Sequence, residues 1–366
     1  MNRLWKVVSV VFLACGFACA QSITTFSAPG GGTGADQGTG GFDINPQGTV
    51  VGSLHDDNNV FHGFQCVSGC GSPSTFTEYD APGAGTGANQ GTITFSNNLF
   101  GETVGFFVDA NNVAHGFATA APFRNFATLN APGAGQGAGQ GTFAGNVNLG
   151  GEIAGYYVDA NNASHGFVSY PPYRRFTSFD PPGSVNTLTA VATSLSLEGT
   201  VTGTYFDASG VAHGYVRTAN GAITEFNVTG AGTGSGQGTE CASISDAGVV
   251  TGNYIDANNV NHGFIRGPFG DITTFDIRGQ GTGAGQGTFP EGINLVGYIT
   301  GQYVDANNVN HGFVRSPLGH ITTFDVPGAG TAAGQGTLPN TPNLFGVVTG
   351  QWVDANNVHY GFLRNP

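Results

Sequence analysis

Lysine is all but missing from this 366-residue chain. Of its 10 Lys and Arg residues, Arg3 and Lys6 fall in the first twenty positions, and every later one is Arg, against 23 Asp and Glu. The formal charge of −13 becomes −15 once those two residues are removed, and such a surface repels a polyanion, which excludes nucleic acid as a partner. Long apolar runs are also lacking: beyond residue 20 none approaches the roughly 18 residues of a membrane helix, so no membrane span is expected. No Gly-x-Ser-x-Gly elbow occurs, which leaves nucleophilic serine chemistry without support. Gly-x-Gly-x-x-Gly spacings do occur, but no helical pattern follows any of them, so they do not read as dinucleotide sites. What is abundant is Gly, at 63 residues, beside 28 Phe and 11 Tyr. Disordered chains lack aromatics in that number, so the glycine belongs to turns.

The first twenty residues read as a leader. Arg3 and Lys6 precede an apolar run over residues 7–17, and Ala18-Cys19-Ala20 offers a small-x-small cleavage signal before Gln21. The expected product is secreted, extracellular or periplasmic, a single domain over residues 21–366. Lipid attachment at Cys15 or Cys19 is disfavoured, because neither has an aliphatic residue three positions before it. Three cysteines follow the leader. Export permits oxidation, so Cys66 and Cys70 are expected to pair locally, with two free thiols as the alternative. No His stands near them in a zinc-type spacing. Cys241 reads as a small packed residue.

One nonapeptide punctuates the rest. Residues 305–313, Asp-Ala-Asn-Asn-Val-Asn-His-Gly-Phe, have close copies starting at Asp109, Asp159, Asp207 and Asp256 and looser ones at Asp56 and Asp354. Its histidines, His62, His115, His165, His213, His262 and His311, are 53, 50, 48, 49 and 49 residues apart, and Tyr360 takes the slot 49 residues later. Seven copies at such a period are the signature of a repeat architecture. Within one period, residues 299–305, 311–315 and 321–325 read as strands, with a weaker fourth after each Gly-Gln-Gly-Thr. Asp-Ala-Asn-Asn becomes Asp207-Ala208-Ser209-Gly210 once, so its fourth position calls for the left-handed conformation of a hairpin loop. Tight turns join three of the connections, and a long Gly-rich loop leads to the next period. The expectation is an all-β, seven-bladed β-propeller of four-stranded antiparallel blades. A strand from Ile23 through Phe26 copies the period's last strand, and the chain stops at Gly361-Phe362-Leu363-Arg364 just before that strand is due. Their pairing would close the last blade and cover its edge.

The His-Gly-Phe triplet after a Gly-x-Tyr-x-Asp strand resembles the HAF-type extracellular repeat, a family of bacterial exported repeats named for a His-Ala-Phe triplet. Gly116, Gly166, Gly263 and Gly312 stand where that name has Ala. The resemblance spans nearly the whole chain after the leader and implies a propeller-like fold without implying an activity.

Topology assigns the polar residues to faces. The Gly-rich loops and Asp-Ala-Asn-Asn turns open together, placing Asp109, Asn111, Asp159, Asn161, Asp207, Asp256, Asn258, Asp305, Asn307 and Asp354 on one acidic face. Gln90, Gln140, Gln237, Gln286 and Gln335 join them and are expected to hydrogen-bond neighbouring blades. Asp80, Asp180, Asp276 and Asp325 arrive there too, while Arg217, Arg266, Arg315 and Arg364 fall toward the other face. The Asp and His pairs recur in blade after blade, which favours a structural role over seven copies of a catalytic site. Calcium is an alternative for the Asp turns, but each supplies one charge and lacks a distal carboxylate, so no cofactor is expected. Glu102, Glu152, Glu198, Glu240 and Glu291 break the repeat and keep open a carbohydrate-active hydrolase or lyase. The leading expectation is a non-enzymatic monomer that binds an extracellular glycan or protein through the loop face. A calcium-stabilised surface scaffold is a further alternative.

Overall fold

Short runs of β-branched and aromatic residues, bounded by Gly, Asn and Pro, become strands almost everywhere in this chain. The computed structural model describes residues 22–189 and 194–366, which hold 28 strands and two single-turn 3-10 segments, Ser68–Cys70 and Pro73–Thr75. The leader expected over residues 1–20 lies outside the described residues. Among those residues, no helix is long and apolar enough to cross a membrane.

One repeat gives the pattern. Gly287–Ile293, Ile299–Val304, Asn310–Arg315 and Ile321–Phe324 are its first to fourth strands, each antiparallel to the next. Tyr303 stands opposite His311, as Tyr157 stands opposite His165. The connecting Asp-Ala-Asn-Asn turn has Asn308 at φ 63°, and Gly210 takes the same role at φ 76°. First strands adjoin one another, Gly287–Ile293 lying between Gly238–Ile244 and Gly336–Pro342, and Gly336–Pro342 in turn adjoins Gly38–Ile44. Thus the last repeat meets the first. Ser22–Phe26 lies antiparallel on His359–Asn365, with Ile23 opposite Arg364 and Phe26 opposite Gly361.

Packing explains the triplet. Phe64, Phe117, Phe167, Phe264, Phe313 and Phe362 are all completely buried, and Tyr215 shares that position in its repeat. Each third-strand Gly beside them lies under an apolar side chain of its fourth strand: a Cβ on Gly312 would come within 2.7 Å of the Phe324 ring, and one on Gly263 within 2.8 Å of Phe275. There is no room for the Ala of the His-Ala-Phe name. The fourth-strand ring also meets the next repeat's phenylalanine edge-on, Phe275 with Phe313 at 6.1 Å and Phe324 with Phe362 at 5.9 Å. An arginine of that next repeat covers it, Arg315 over Phe275 at 5.2 Å and Arg364 over Phe324 at 5.0 Å. The arginines expected to point toward the second face therefore lie at its end of the strands but spend their guanidinium on the seams. A weakly hydrated planar cation suits that use.

Phe26 repeats this arrangement from the other end of the chain. It contacts Phe64 edge-on at 6.3 Å, and a Cβ on Gly361 would sit 2.0 Å from its ring. The first repeat's longer outer loop is tied by the Cys66–Cys70 disulfide, and Cys241 is free and buried.

Phe26→Ala should remove a seam anchor and cost about 3–5 kcal/mol, and Gly361→Ala should cost about 1–3 kcal/mol by overpacking against the same ring. Urea unfolding of the two single variants and the double variant checks this. A double variant less destabilised than the sum of the singles shows that the two residues act on one contact.

Candidate functional site

On the face of the long loops, six of the seven repeats build variants of one polar cluster around the triplet histidine. His311 directs Nδ1 to Asp325 at 2.9 Å and Nε2 toward Asp305 at 3.7 Å, and its ring stacks on Tyr303 at 4.9 Å. His262 stands likewise between Asp276 and Asp256 over Tyr254, and His165 between Asp180 and Asp159 over Tyr157. His62 lies between Asp80 and Asp56. In two repeats an amide replaces the second carboxylate: Asn130 for His115 and Asn227 for His213. In the last repeat Tyr360 stacks on Trp352 instead.

The turn aspartates are committed to their own turns. Asp305 Oδ1 accepts from the backbone N–H of Asn307 at 2.8 Å and of Val309 at 2.9 Å, and Oδ2 accepts from the Asn307 side chain at 3.3 Å. Partial burial works against the charge, but these bonds and the nearby His311 outweigh it and hold the carboxyl below its ordinary range. For Asp159 the bond from the Ala163 N–H leads, with the same outcome. Asn111, Asn161, Asn258 and Asn307 are spent in the same way, each donating to its own Asp. Within the clusters the more exposed carboxylates are those ending the fourth strands, Asp80, Asp180, Asp276 and Asp325, the last of them 58% exposed.

The glutamines act differently from expectation. Gln286 Oε1 accepts from Gly283 N–H at 2.8 Å and its Nε2 donates to Asn308 at 2.9 Å, both within its own repeat. The crossing bond to the preceding repeat is made by its backbone carbonyl, which accepts from Asn261 N–H at 2.8 Å. A glutamine side chain that loops back leaves the main chain free to bridge the seam. Gln90, Gln140, Gln237 and Gln335 repeat the pattern, each donating to the turn asparagine of its own repeat: Asn112, Asn162, Asn259 and Asn357.

The five irregular glutamates separate. Glu102 and Glu152 lie at the opposite ends of their strands, Glu102 held by Asn98 and the Tyr173 hydroxyl and Glu152 by Asn148. Glu198 is an exposed turn residue. Glu240 and Glu291 stand on adjoining first strands, receiving bonds from Asn253 at 3.1 Å and Gln302 at 3.2 Å. Desolvation, with the Glu240 charge adding to it, pushes the Glu291 carboxyl up to about 7. Elsewhere on the inner strands the rings of Phe42, Phe95, Phe106, Phe143 and Tyr156 form a continuous chain of contacts. The inner wall is therefore aromatic along one arc and acidic along another.

Two cavities lie off the repeated clusters. One, about 440 Å³, opens where first strands turn into second strands and is rimmed by Leu99, Leu149, Leu197, Leu295 and Leu344. Under its rim, side chains of Asn45, Asn98, Asn148, Asn294 and Asn343 each donate to a backbone carbonyl of the next repeat, Asn343 closing onto Asn45 at 3.4 Å. Asp43 is buried there among Ser96, Asn97 and Thr341, and burial raises its carboxyl despite their hydrogen bonds. The second cavity, about 240 Å³, lies at the closure seam and is lined by His55, His359, Phe42, Phe61 and Gln351. These features were missed by reasoning from the repeat, although Asn or Ser opening each first turn was their visible signal. Among the described residues no group of three His, Cys, Asp or Glu is placed to hold a metal ion.

No protein-family model and no curated protein matches the sequence. The fold is similar to the BP39L lectin from Burkholderia pseudomallei, with TM-score 0.52 and 12% identity over 86% of this chain and 95% of that one. TolB from Acinetobacter baumannii is more distant, with TM-score 0.44 and 11% identity over 73% of this chain and 64% of TolB. The fold is of the β-propeller type.

A carboxyl raised in the folded state weakens folding as pH rises from its unfolded value, 4.5, to its folded value, about 7, and costs a constant amount above that. Glu291→Gln should therefore match the parent at pH 4 and gain stability progressively to a plateau above pH 7, worth on the order of 1–3 kcal/mol. Thermal melts of both proteins from pH 4 to 8 measure the difference.

Proposed function

We propose that the protein is an exported, non-enzymatic seven-bladed propeller, each four-strand run forming one blade and Ser22–Phe26 completing the last. Its loop face binds an extracellular glycan or protein, and a glycan is the class put first. The observation that supports this is the recurrence of one half-exposed cluster, a tyrosine ring beside His between two acidic or amide oxygens, in blade after blade. Sugar hydroxyls pair well with such carboxylates and imidazoles, and the apolar face of a sugar packs on aromatic rings. Near-identical weak sites on a rigid ring gain strength by engaging a repeating ligand at several points. The likeness to a protein named as a lectin is a likeness of fold and adds a scaffold on which such sites are feasible.

A glycan array against a charge-matched control protein tests the reading. Binding is expected, falling about tenfold or more when Asp276, Asp325 and Asp180 are replaced together by Ala; a signal no higher than the control's removes the proposal.

One observation favours a second reading, a carbohydrate-active hydrolase or lyase. Glu291, raised to about 7, has the character of a general acid, and Glu240 stands on the adjoining strand as a second carboxyl. Incubation with a panel of plant and bacterial polysaccharides should yield new reducing ends or unsaturated products that Glu291→Gln abolishes. A calcium-stabilised scaffold is disfavoured, because the turn carboxylates already accept from backbone N–H groups. The melting temperature should be unchanged in chelator.

A further inference from the structure

The molecule has a second face, and its surface is unlike the first. Turns from first to second strands and from third to fourth strands adjoin there: a Cβ on Gly248 would meet Pro268 at 3.4 Å, and one on Gly297 would meet Pro317 at 3.6 Å. Of the large apolar residues that are exposed, every one among the described residues except Val185 falls at this end. Phe269 and Leu318 at two outer turn tips are 97% and 87% exposed, and Phe100 and Phe345 at two inner turn tips are 76% and 68% exposed. These positions ordinarily carry polar turn residues, so large apolar side chains there call for something to cover them.

We propose that this face docks on a lipid bilayer, with Phe100, Phe269, Leu318 and Phe345 inserting at the headgroup boundary. Two observations favour lipid over a protein partner. Phe100, Phe269, Leu318 and Phe345 stand on four separate turn tips outside the leucine-rimmed cavity, which suits insertion into a fluid interface; a protein partner would favour one contiguous patch. Exposed charge at this end is balanced, Arg124, Arg174 and Arg175 against Glu198, Asp246 and Asp271, whereas the loop face is acidic. A balanced face escapes the repulsion that an anionic headgroup layer would exert on the loop face. Docked in this way, the loop face with its Asp-His clusters points away from the bilayer.

Flotation with vesicles of phosphatidylcholine and of phosphatidylglycerol tests the proposal, using the chain from residue 21, which contains every described strand. The parent should float with both. Combined Phe100→Ser, Phe269→Ser, Leu318→Ser and Phe345→Ser should lower the bound fraction about tenfold or more, while Asp276→Asn with Asp325→Asn on the other face should leave it unchanged. A single Phe269→Trp reporter, at a tip too exposed to disturb folding, should shift its emission to the blue on adding vesicles. Flotation that the four substitutions leave intact overturns the proposal, as does a parent that fails to float. A parent that sediments as a dimer, becomes monomeric with the four substitutions and ignores vesicles would assign the face to a second copy of the chain. The loop-face reading is untouched by any of these results, since its own measure is glycan binding.

Discussion

The structure depends on how closely one main chain can approach another at the seams. Each regular first strand begins with a glycine at positive φ, 122° at Gly287 and 118° at Gly336, bridged in parallel to the preceding repeat's third strand. A Cβ at either position would lie 2.0 Å from a carbonyl oxygen of that strand. Both the dihedral and the approach demand glycine. The bonds that follow, from Asn261 N–H to the Gln286 carbonyl and from Asn310 N–H to the Gln335 carbonyl, hold one meander to the next without side chains. The exception clarifies the rule. The fourth run has no Gln-Gly-Thr, and there the Asn186 side chain supplies the acceptor for Ser164 N–H at 3.1 Å. The bond survives because an amide oxygen can stand in for a peptide carbonyl.

Close approach at the seam sets what the rest of the repeat must be. Once the third strand of one repeat is fixed against the first strand of the next, its buried Phe faces the preceding fourth strand, and that strand's ring can settle only over a residue without a Cβ. The threonine after each seam glycine is completely buried and accepts from the N–H that begins the long loop, as Thr337 does from Val326 at 2.9 Å. Gly-Gln-Gly-Thr and His-Gly-Phe are thus two halves of one contact, and selection of both at a 49-residue spacing is what made the repeat visible. The strand order was legible for the same reason, since alternation, turn asparagines and the stray Ile-Thr-Thr-Phe at residues 23–26 are local signals that tertiary packing does not override.

Legibility ends where the repeat is broken. That Asp305 and His311 meet follows from a hairpin register that can be counted on the sequence, and the later arrival of Asp325 follows from strand order. No such counting separates Glu102, Glu152 and Glu198 from Glu240 and Glu291. The first three sit beside turns at the strand ends, where Asn98 donates to Glu102 and Asn148 to Glu152, while the other two fall on alternate positions of bulged first strands. A bulge shifts which side chain faces inward, and between Cys241 and Ser243 or Pro290 and Gly292 it leaves no sequence mark beyond the interrupted alternation. His55 and His359 were likewise hidden: each replaces an unremarkable strand residue, and only closure of the chain brings them to one cavity.

The division of labour between the two faces follows from chain geometry. Connections on the loop face cross seams and must feed many orphan N–H groups, so they collect Asp, Asn and Gln, whose oxygens satisfy those donors. Turns on the other face stay within one repeat, and their backbone needs are met by one Asn or Ser with one left-handed Gly, as Asn294 meets Gly297 and Tyr298. The two residues between them are released from structural duty. Leu99-Phe100, Leu295-Val296 and Leu344-Phe345 use that freedom for exposed apolar side chains, which local folding neither requires nor rewards. Polar crowding on the first face has a sufficient cause in the fold itself, and of the cluster carboxylates it is Asp80, Asp180, Asp276 and Asp325 that stay open to a ligand beside the His and Tyr rings. Apolar exposure on the second face has no cause within the chain, so its explanation must be sought in what the chain touches.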